Sequence, residues 1–174
     1  MRSAHPQPRT RTPKSRGLKR RDKLRPLRDT RSVVVVVVAC RACGEALSRV
    51  VEELAEMPAA ERLDDGIGYA PTVPLGNLAI DPGPVGVRQD GRPTSTLGCV
   101  VINPEDALAL VTHPDPRRNS GCCGHDGLDG PNQLCPNCHA EVATLRDDCW
   151  SLVEVRFEPS AVLLTPARPS SAPV

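Results

Sequence analysis

Eight cysteines lie in this chain of 174 residues, and most of them are spaced like metal ligands. Residues 40–44 (CRACG) and 135–139 (CPNCH) each contain a C-x2-C knuckle. A C-x2-C pair at a tight turn points two thiolates at one place, and two such pairs complete a tetrahedral zinc shell. Zinc is the favoured cofactor, although iron accepts the same ligands. The knuckles supply four candidate ligands: Cys40, Cys43, Cys135 and Cys138.

Two ligand sets are compatible with these spacings. In a ribbon arrangement both knuckles share one ion across 91 intervening residues, because loop-closure entropy grows only logarithmically with length. In a local arrangement the second knuckle binds the ion together with Cys149 and one member of the doublet Cys122-Cys123. Since neighbouring side chains diverge, the other cysteine of the doublet is expected to be a core residue, a ligand of a second ion or a free thiol.

Disulfides are the rival use of the cysteines, because an even number suits a secreted framework. The knuckles nevertheless contain Gly or Pro, as metal sites do, and the chain shows no standard cleavable signal peptide. We therefore expect a cytoplasmic protein with reduced thiols.

The alternative is export as a lipoprotein. Arg20-Arg21 precedes an apolar run, and residues 37–40 (VVAC) resemble a bacterial lipobox, which would place a lipid on Cys40 and remove a ligand from the first knuckle. The run of seven apolar residues, 33–39, is far too short to span a membrane, which takes about 20 residues. No membrane span is predicted.

The composition predicts a thin core that a metal would have to support. One Trp, one Tyr and one Phe stand against 19 Pro and 13 Gly. Aromatic side chains supply much of the buried area of ordinary cores, and small domains without that area often depend on metals or disulfides.

The net charge differs sharply between two parts of the chain. Residues 1–32 hold 12 Lys and Arg against two acidic residues, a balance of +10, whereas the remainder holds 10 against 19, a balance of −9. Residues 1–32 are predicted to be a disordered basic arm that could bind nucleic acid through its phosphates. The alternatives are a solvated tail without a partner, or translation that starts after the arm. Residues 33–165 are predicted to form a single Cys-rich domain, followed by a disordered tail at 166–174.

Short secondary-structure elements are expected to position the knuckles. Strands are predicted at Val33–Val38, Leu78–Ile80, Cys99–Ile102, 140–145 and 149–157. Cys99 is therefore expected to be a core residue.

One helix is predicted as well. Between Glu45 and Met57 apolar residues recur at helical spacing until Pro58, which predicts an amphipathic helix. Asn103 followed by Pro104 predicts the start of a second, short helix. Taken together, these elements predict a small α+β, zinc-ribbon-like domain with short antiparallel strands and disordered tails.

Residues 119–150 carry a distinctive motif, NSGCCGHDGLDGPNQLCPNCHAEVATLRDDCW. The motif resembles that of a family of small bacterial cysteine-rich proteins without an assigned activity, whose pattern is GCCG-x-D-G-x-D-G-P-N-x2-C-x2-C-G-x-E-V-A-T, then D-C-W, with C-x2-C-G far upstream. The resemblance covers residues 40–44 and about 113–158. This chain has His139 where the family has Gly. Since Gly favours a left-handed turn, His139 is expected to be strained or to alter the turn.

No motif of a known enzyme class accompanies the cysteines: the sequence lacks H-E-x-x-H, G-x-S-x-G and a phosphate loop. A zinc ion with four thiolates also has no open position for a substrate. The favoured hypothesis is a non-enzymatic, zinc-stabilised module that binds an unknown protein partner. The alternatives are a nucleic-acid-binding regulator that uses residues 1–32, and a thiol redox protein that uses Cys122-Cys123 or a knuckle pair.

Overall fold

A computed structural model describes residues 34–64, 66–83 and 97–167. The predicted basic arm at 1–32, and residues 168–174 of the predicted tail, lie outside the described residues. Among the described residues, no helix is long and apolar enough to cross a bilayer.

The described chain forms one mostly antiparallel sheet that curls into a half-barrel. Its strands are β1 (Val35–Cys40), β2 (Val51–Glu53), β3 (Asn77–Ile80), β4 (Val100–Ile102), β5 (Val111–Thr112), β6 (Gln133–Leu134), β7 (Glu141–Arg146), β8 (Glu154–Phe157) and β9 (Val162–Pro166). They are hydrogen-bonded in the order β5-β6-β7-β8-β4-β3-β2-β1-β9. Only the β2–β3 pair is parallel within this described sheet.

The predicted α+β, zinc-ribbon-like fold is wrong. The described residues contain two short 3-10 turns, Pro104–Asp106 and Pro116–Asn119, and no helix of seven residues or more. Both knuckles are built into the large sheet, so that the second one lies between β6 and β7. The molecule is therefore a mostly β structure.

The segment predicted to be an amphipathic helix, residues 45–57, is extended and contains β2. The first knuckle reverses the chain, and the Leu47 N–H then donates to the Val38 carbonyl at 2.7 Å. Leu47 and Val51 are both buried, but Val50 is 55% exposed. Residues four apart share a face in a helix and also in a strand, so the burial of Leu47 and Val51 fits either conformation, whereas the exposure of Val50 departs from the helical pattern.

Several predicted elements are confirmed. β1, β3 and β4 lie at the predicted strands, and the Asn103 side chain caps the first 3-10 turn by accepting the Glu105 N–H at 3.0 Å. β7 also matches its prediction. β8 begins later than predicted, at Glu154, because residues 147–153 form a loop.

The main core is aliphatic apart from Phe157, which is completely buried. It includes residues of seven strands together with the side chains of Cys40 and Cys135. A second, smaller cluster contains Cys99, which is 1% exposed, as predicted for a core residue. The single Trp contributes little to the core, since Trp150 is 71% exposed.

Charged side chains are also buried on β8. Arg156 pairs with Asp81 and donates to Glu154 Oε1 at 3.0 Å, and all three side chains are buried. The alternation of apolar and charged residues in β8 therefore does not separate a core face from a solvent face. Pairing is what makes the burial of these charges tolerable, because an unpaired buried charge is very costly.

Candidate metal centres

The first knuckle follows directly from the end of β1 at Cys40. The Gly44 N–H donates to the Cys40 carbonyl at 2.8 Å, and the Cys40 N–H donates to the Glu45 carbonyl at 2.8 Å. Gly44 has φ of +79°, a left-handed conformation in which Gly has no steric cost. The turn therefore places the Cys40 and Cys43 side chains on the inside of a tight reversal.

The second knuckle repeats this turn residue by residue. The His139 N–H donates to the Cys135 carbonyl at 3.0 Å, and the Cys135 N–H donates to the Ala140 carbonyl at 2.9 Å. His139 takes the place of Gly44 and has φ of +57°. A non-glycine residue in this conformation costs roughly 1–2 kcal/mol. His139 therefore adopts the left-handed conformation of Gly44 and the turn keeps its geometry, so the expected strain would fall on His139.

The two knuckles bring four sulfur atoms together. All four lie within 4.8 Å of one another, and the Cys40–Cys138 and Cys43–Cys135 Sγ–Sγ distances are both 3.6 Å. A disulfide requires about 2.05 Å. With Zn–S bonds of about 2.3 Å, sulfur atoms of a tetrahedral shell lie about 3.8 Å apart. The donors thus fit a tetrahedral thiophilic ion, and we call this set the knuckle cluster: Cys40, Cys43, Cys135 and Cys138.

Exposure and backbone contacts differ among these thiols. Cys40 and Cys135 are completely buried, whereas Cys43 and Cys138 are exposed. The backbone N–H of Glu45 lowers the pKa of Cys43 to about 7, while burial raises the pKa of Cys135. A bound cation favours the thiolate form of every ligand, so ion binding would release protons here.

The knuckle cluster joins distant parts of the sheet. Cys40 ends β1 and Cys135 directly follows β6, and five strands separate β1 from β6 in the hydrogen-bonding order. Contact between these knuckles therefore closes the curled sheet across its open side. An ion held by the knuckle cluster would fix that closure.

A second group of donors lies in loops. Cys122, Cys123, Asp148 and Cys149 lie within 4.8 Å of one another, and we call them the loop cluster. The Cys122–Cys149 Sγ–Sγ distance is 2.9 Å, and the Cys149 N–H donates to Cys123 Sγ at 3.1 Å. Each of the two clusters could hold a metal ion.

The local arrangement does not form, because the loop cluster is separate from the second knuckle. β7 runs between them, from Glu141 to Arg146. Six extended residues at about 3.4 Å each span about 20 Å, so Cys149 lies at the far end of β7 from Cys138. Both members of the doublet Cys122-Cys123 contribute to the loop cluster, contrary to the expectation that they would diverge.

Asp148 organises the loop cluster and was missed by the sequence reasoning. Its buried carboxylate accepts the N–H groups of Cys122 and Cys123 on Oδ2 and that of Trp150 on Oδ1, at 2.5, 3.0 and 3.1 Å. These backbone donors, with Cys123 foremost, hold the pKa of Asp148 well below its ordinary value. An acidic residue directly before Cys149 was the available signal.

Glycine is required on both sides of the doublet. A Cβ atom on Gly121 would lie 2.0 Å from the Gly124 carbonyl oxygen and 2.7 Å from Asp148 Oδ2, and one on Gly124 would lie 2.6 Å from Asp147 Oδ1. The GCCG loop can therefore close over the 147–150 segment only without side chains at these positions.

No protein-family model, curated protein or solved structure matches this chain. The resemblance of residues 119–150 to a bacterial family stays a prediction. A functional conclusion must therefore come from the two clusters and the sheet that holds them.

Proposed function

We propose that this protein is a non-enzymatic, zinc-stabilised module that presents a rigid surface to a protein partner. The observation that carries the proposal is the convergence of the knuckle cluster. Four sulfur atoms from two equivalent turns meet at tetrahedral spacing, across the open side of the sheet. A zinc ion there holds the half-barrel in one shape.

The ligand chemistry favours a structural ion over a catalytic one. Catalytic zinc keeps an open position for water or substrate, whereas four thiolates fill the shell. Because the unfolded chain has no preformed site, the free energy of ion binding becomes free energy of folding. The main core is aliphatic except for Phe157 and therefore thin, so the fold depends on that contribution. A reducing compartment such as the cytoplasm keeps the ligands available.

Surface composition favours a protein partner. Trp150 is 71% exposed, and Trp is enriched at the energetic centres of protein interfaces. The chain from residue 33 onward has a balance of −9, which disfavours contact with nucleic acid phosphates.

Strand addition at β9 is not the expected mode of recognition. Arg41 Nη2 donates to the Val162 carbonyl at 2.9 Å, and Pro166 has no N–H to offer a neighbouring strand. Such features protect sheet edges from pairing with another chain. We therefore expect the partner to contact side chains on the surface.

Metal content and unfolding test this proposal together. Protein purified with reduced thiols should contain zinc by mass spectrometry, and removal of all zinc by a chelator should abolish the β-sheet circular dichroism spectrum and the thermal transition. Cys99→Ser is the matched control, because Cys99 is a buried thiol outside both clusters. This variant should keep its zinc. A metal-free protein with the spectrum and melting temperature of the native protein would overturn the proposal.

A further inference from the structure

The loop cluster brings four potential metal ligands together in one place. Three thiols and one carboxylate converge from two segments, residues 122–123 and 148–149. None of the four residues belongs to a strand. Cys122 and Cys123 are exposed, so the group is open to ions and chelators in solution.

The distances from the carboxylate fit a metal shell. Asp148 Oδ1 lies 3.5 Å from Cys149 Sγ and 3.8 Å from Cys122 Sγ. With Zn–S bonds of about 2.3 Å and Zn–O bonds of about 2.0–2.2 Å, the sulfur–oxygen edge of a tetrahedral shell is about 3.6 Å. Oδ2 accepts two backbone N–H groups, so the carboxylate is fixed with Oδ1 toward the sulfurs.

The Cys122–Cys149 distance does not by itself choose between a disulfide and an ion. At 2.9 Å it lies midway between the disulfide length of about 2.05 Å and the tetrahedral edge of about 3.8 Å. The other two donors decide the matter. A disulfide would use two sulfurs and leave Cys123 Sγ and Asp148 Oδ1 beside it as acceptors of one backbone N–H each, whereas an ion uses all four groups.

Backbone groups around the cluster suit anionic ligands. The Cys149 N–H points at Cys123 Sγ, and three further N–H groups surround the Asp148 carboxylate. Outer hydrogen bonds of this kind orient metal ligands and stabilise their negative charge. The tight GCCG loop keeps these donors in place, because neither flanking Gly can accept a side chain.

We propose that the loop cluster is a second zinc site, in which Cys122, Cys123, Cys149 and Asp148 Oδ1 bind an exchangeable ion. Each of the three thiols gives up its proton when the ion binds. The ion is exchangeable with ions in solution because the site lies in surface loops and its ligands belong to no strand. This site goes beyond the proposed function, which concerns the knuckle cluster alone.

Native mass spectrometry of the full chain, reduced with a phosphine and supplied with zinc, tests the proposal. The wild-type protein should carry two zinc ions. Cys122→Ser and Cys149→Ser should each carry one and keep the wild-type circular dichroism spectrum, because the knuckle cluster is intact. Asp148→Asn should weaken the second ion at least about tenfold in a chelator competition. Cys99→Ser should keep both ions.

Two results would overturn the proposal. One is a single zinc ion in wild type, Cys122→Ser and Cys149→Ser alike. The other is a wild-type protein that, under the phosphine, has the mass of a Cys122–Cys149 disulfide, two hydrogens lighter, and carries one ion. Neither result bears on the knuckle cluster. Conversely, if two ions bind but removal of both leaves the fold unchanged, the proposed function fails and the second site stands.

Discussion

The knuckle cluster and the loop cluster use nearly the same donors in opposite settings. In the knuckle cluster, sulfurs 92 and 98 residues apart in sequence meet at 3.6 Å, and two of the thiols are buried in the main core. In the loop cluster, Cys122 and Cys149 are 27 residues apart and come from two loops. The position of a site relative to the sheet, more than its ligand types, decides what an ion does there.

This difference has an energetic consequence. An ion in the knuckle cluster would hold together strands that no hydrogen bond joins, so its loss should open the half-barrel. An ion in the loop cluster would join segments that the backbone already ties to each other, since the His125 carbonyl accepts the N–H groups of Asp147 and Asp148 at 3.0 and 3.2 Å. Its loss should leave the sheet intact.

The largest effect is expected from the buried ligands of the knuckle cluster. Cys40→Ser and Cys135→Ser should each abolish zinc binding at the knuckles and unfold the domain. Structural zinc contributes about 10–16 kcal/mol of apparent binding free energy in small metal domains, which is as large as a typical domain stability of about 5–15 kcal/mol. Circular dichroism and thermal melting measure the loss.

Cys99→Ser is the control for a buried thiol outside both clusters. It should cost about 1–3 kcal/mol through a hydroxyl placed among apolar side chains, and it should keep a cooperative transition. If the Cys40 and Cys135 variants melted like Cys99→Ser, the two clusters would not differ as described.

A smaller and local effect is expected from Gly121→Ala. The new Cβ would overlap the Gly124 carbonyl oxygen at 2.0 Å, so the GCCG loop must open and the loop cluster should lose its ion. The ion of the knuckle cluster and the β-sheet circular dichroism spectrum should remain. Gly76→Ala is matched, because Gly76 is also in a loop with positive φ but has no atom within 4 Å of the added Cβ. Zinc stoichiometry separates the variants, and equal stoichiometry in both would contradict the steric account.

The two knuckles differ at the residue after the second cysteine, Gly44 in one and His139 in the other, and that difference predicts a change in stability of about 1–2 kcal/mol. His139→Gly should raise stability by roughly 1–2 kcal/mol, because Gly adopts the left-handed conformation at no steric cost. Gly44→Ala should lower stability by a similar amount. Chemical denaturation of the zinc-loaded protein measures both. A destabilised His139→Gly variant would mean that the imidazole makes a contribution larger than its strain.

The smallest effect is expected from removal of residues 1–32. Neither cluster draws on this segment, so a chain that begins at Val33 should bind zinc and melt like the full chain. A large drop in melting temperature would show instead that the basic segment stabilises the acidic remainder of the protein.

The sequence predicted β1, which leads into the first knuckle, and β7, which leads away from the second. The valine run before Cys40 and the apolar run at 100–102 form strands as predicted, because both are short and rich in β-branched residues. The helix predicted for segment 45–57 was wrong: Leu47 and Val51 share a face in either conformation, and the segment instead contains β2, which pairs with β1. Long-range pairing outweighs such weak local preference.

The candidate ligands show the same limit. Four cysteines in two knuckles could be named from their spacing, but the position of Asp148 before Cys149 was only a weak signal, because its role depends on backbone N–H groups of a loop 25 residues away. The predicted strand at 140–145 was sufficient to reject the local arrangement, because an extended segment of that length keeps Cys138 and Cys149 too far apart to share an ion.

Stepwise chelation tests the central claim most directly. Increasing chelator is added to the zinc-loaded wild-type protein while released zinc and circular dichroism are recorded together. We predict that the first equivalent leaves without spectral change, as expected for the loop cluster. The second should leave only with cooperative loss of the sheet, as expected for the knuckle cluster. Release of all zinc with an unchanged spectrum would contradict the claim that a knuckle-bound ion holds this fold together.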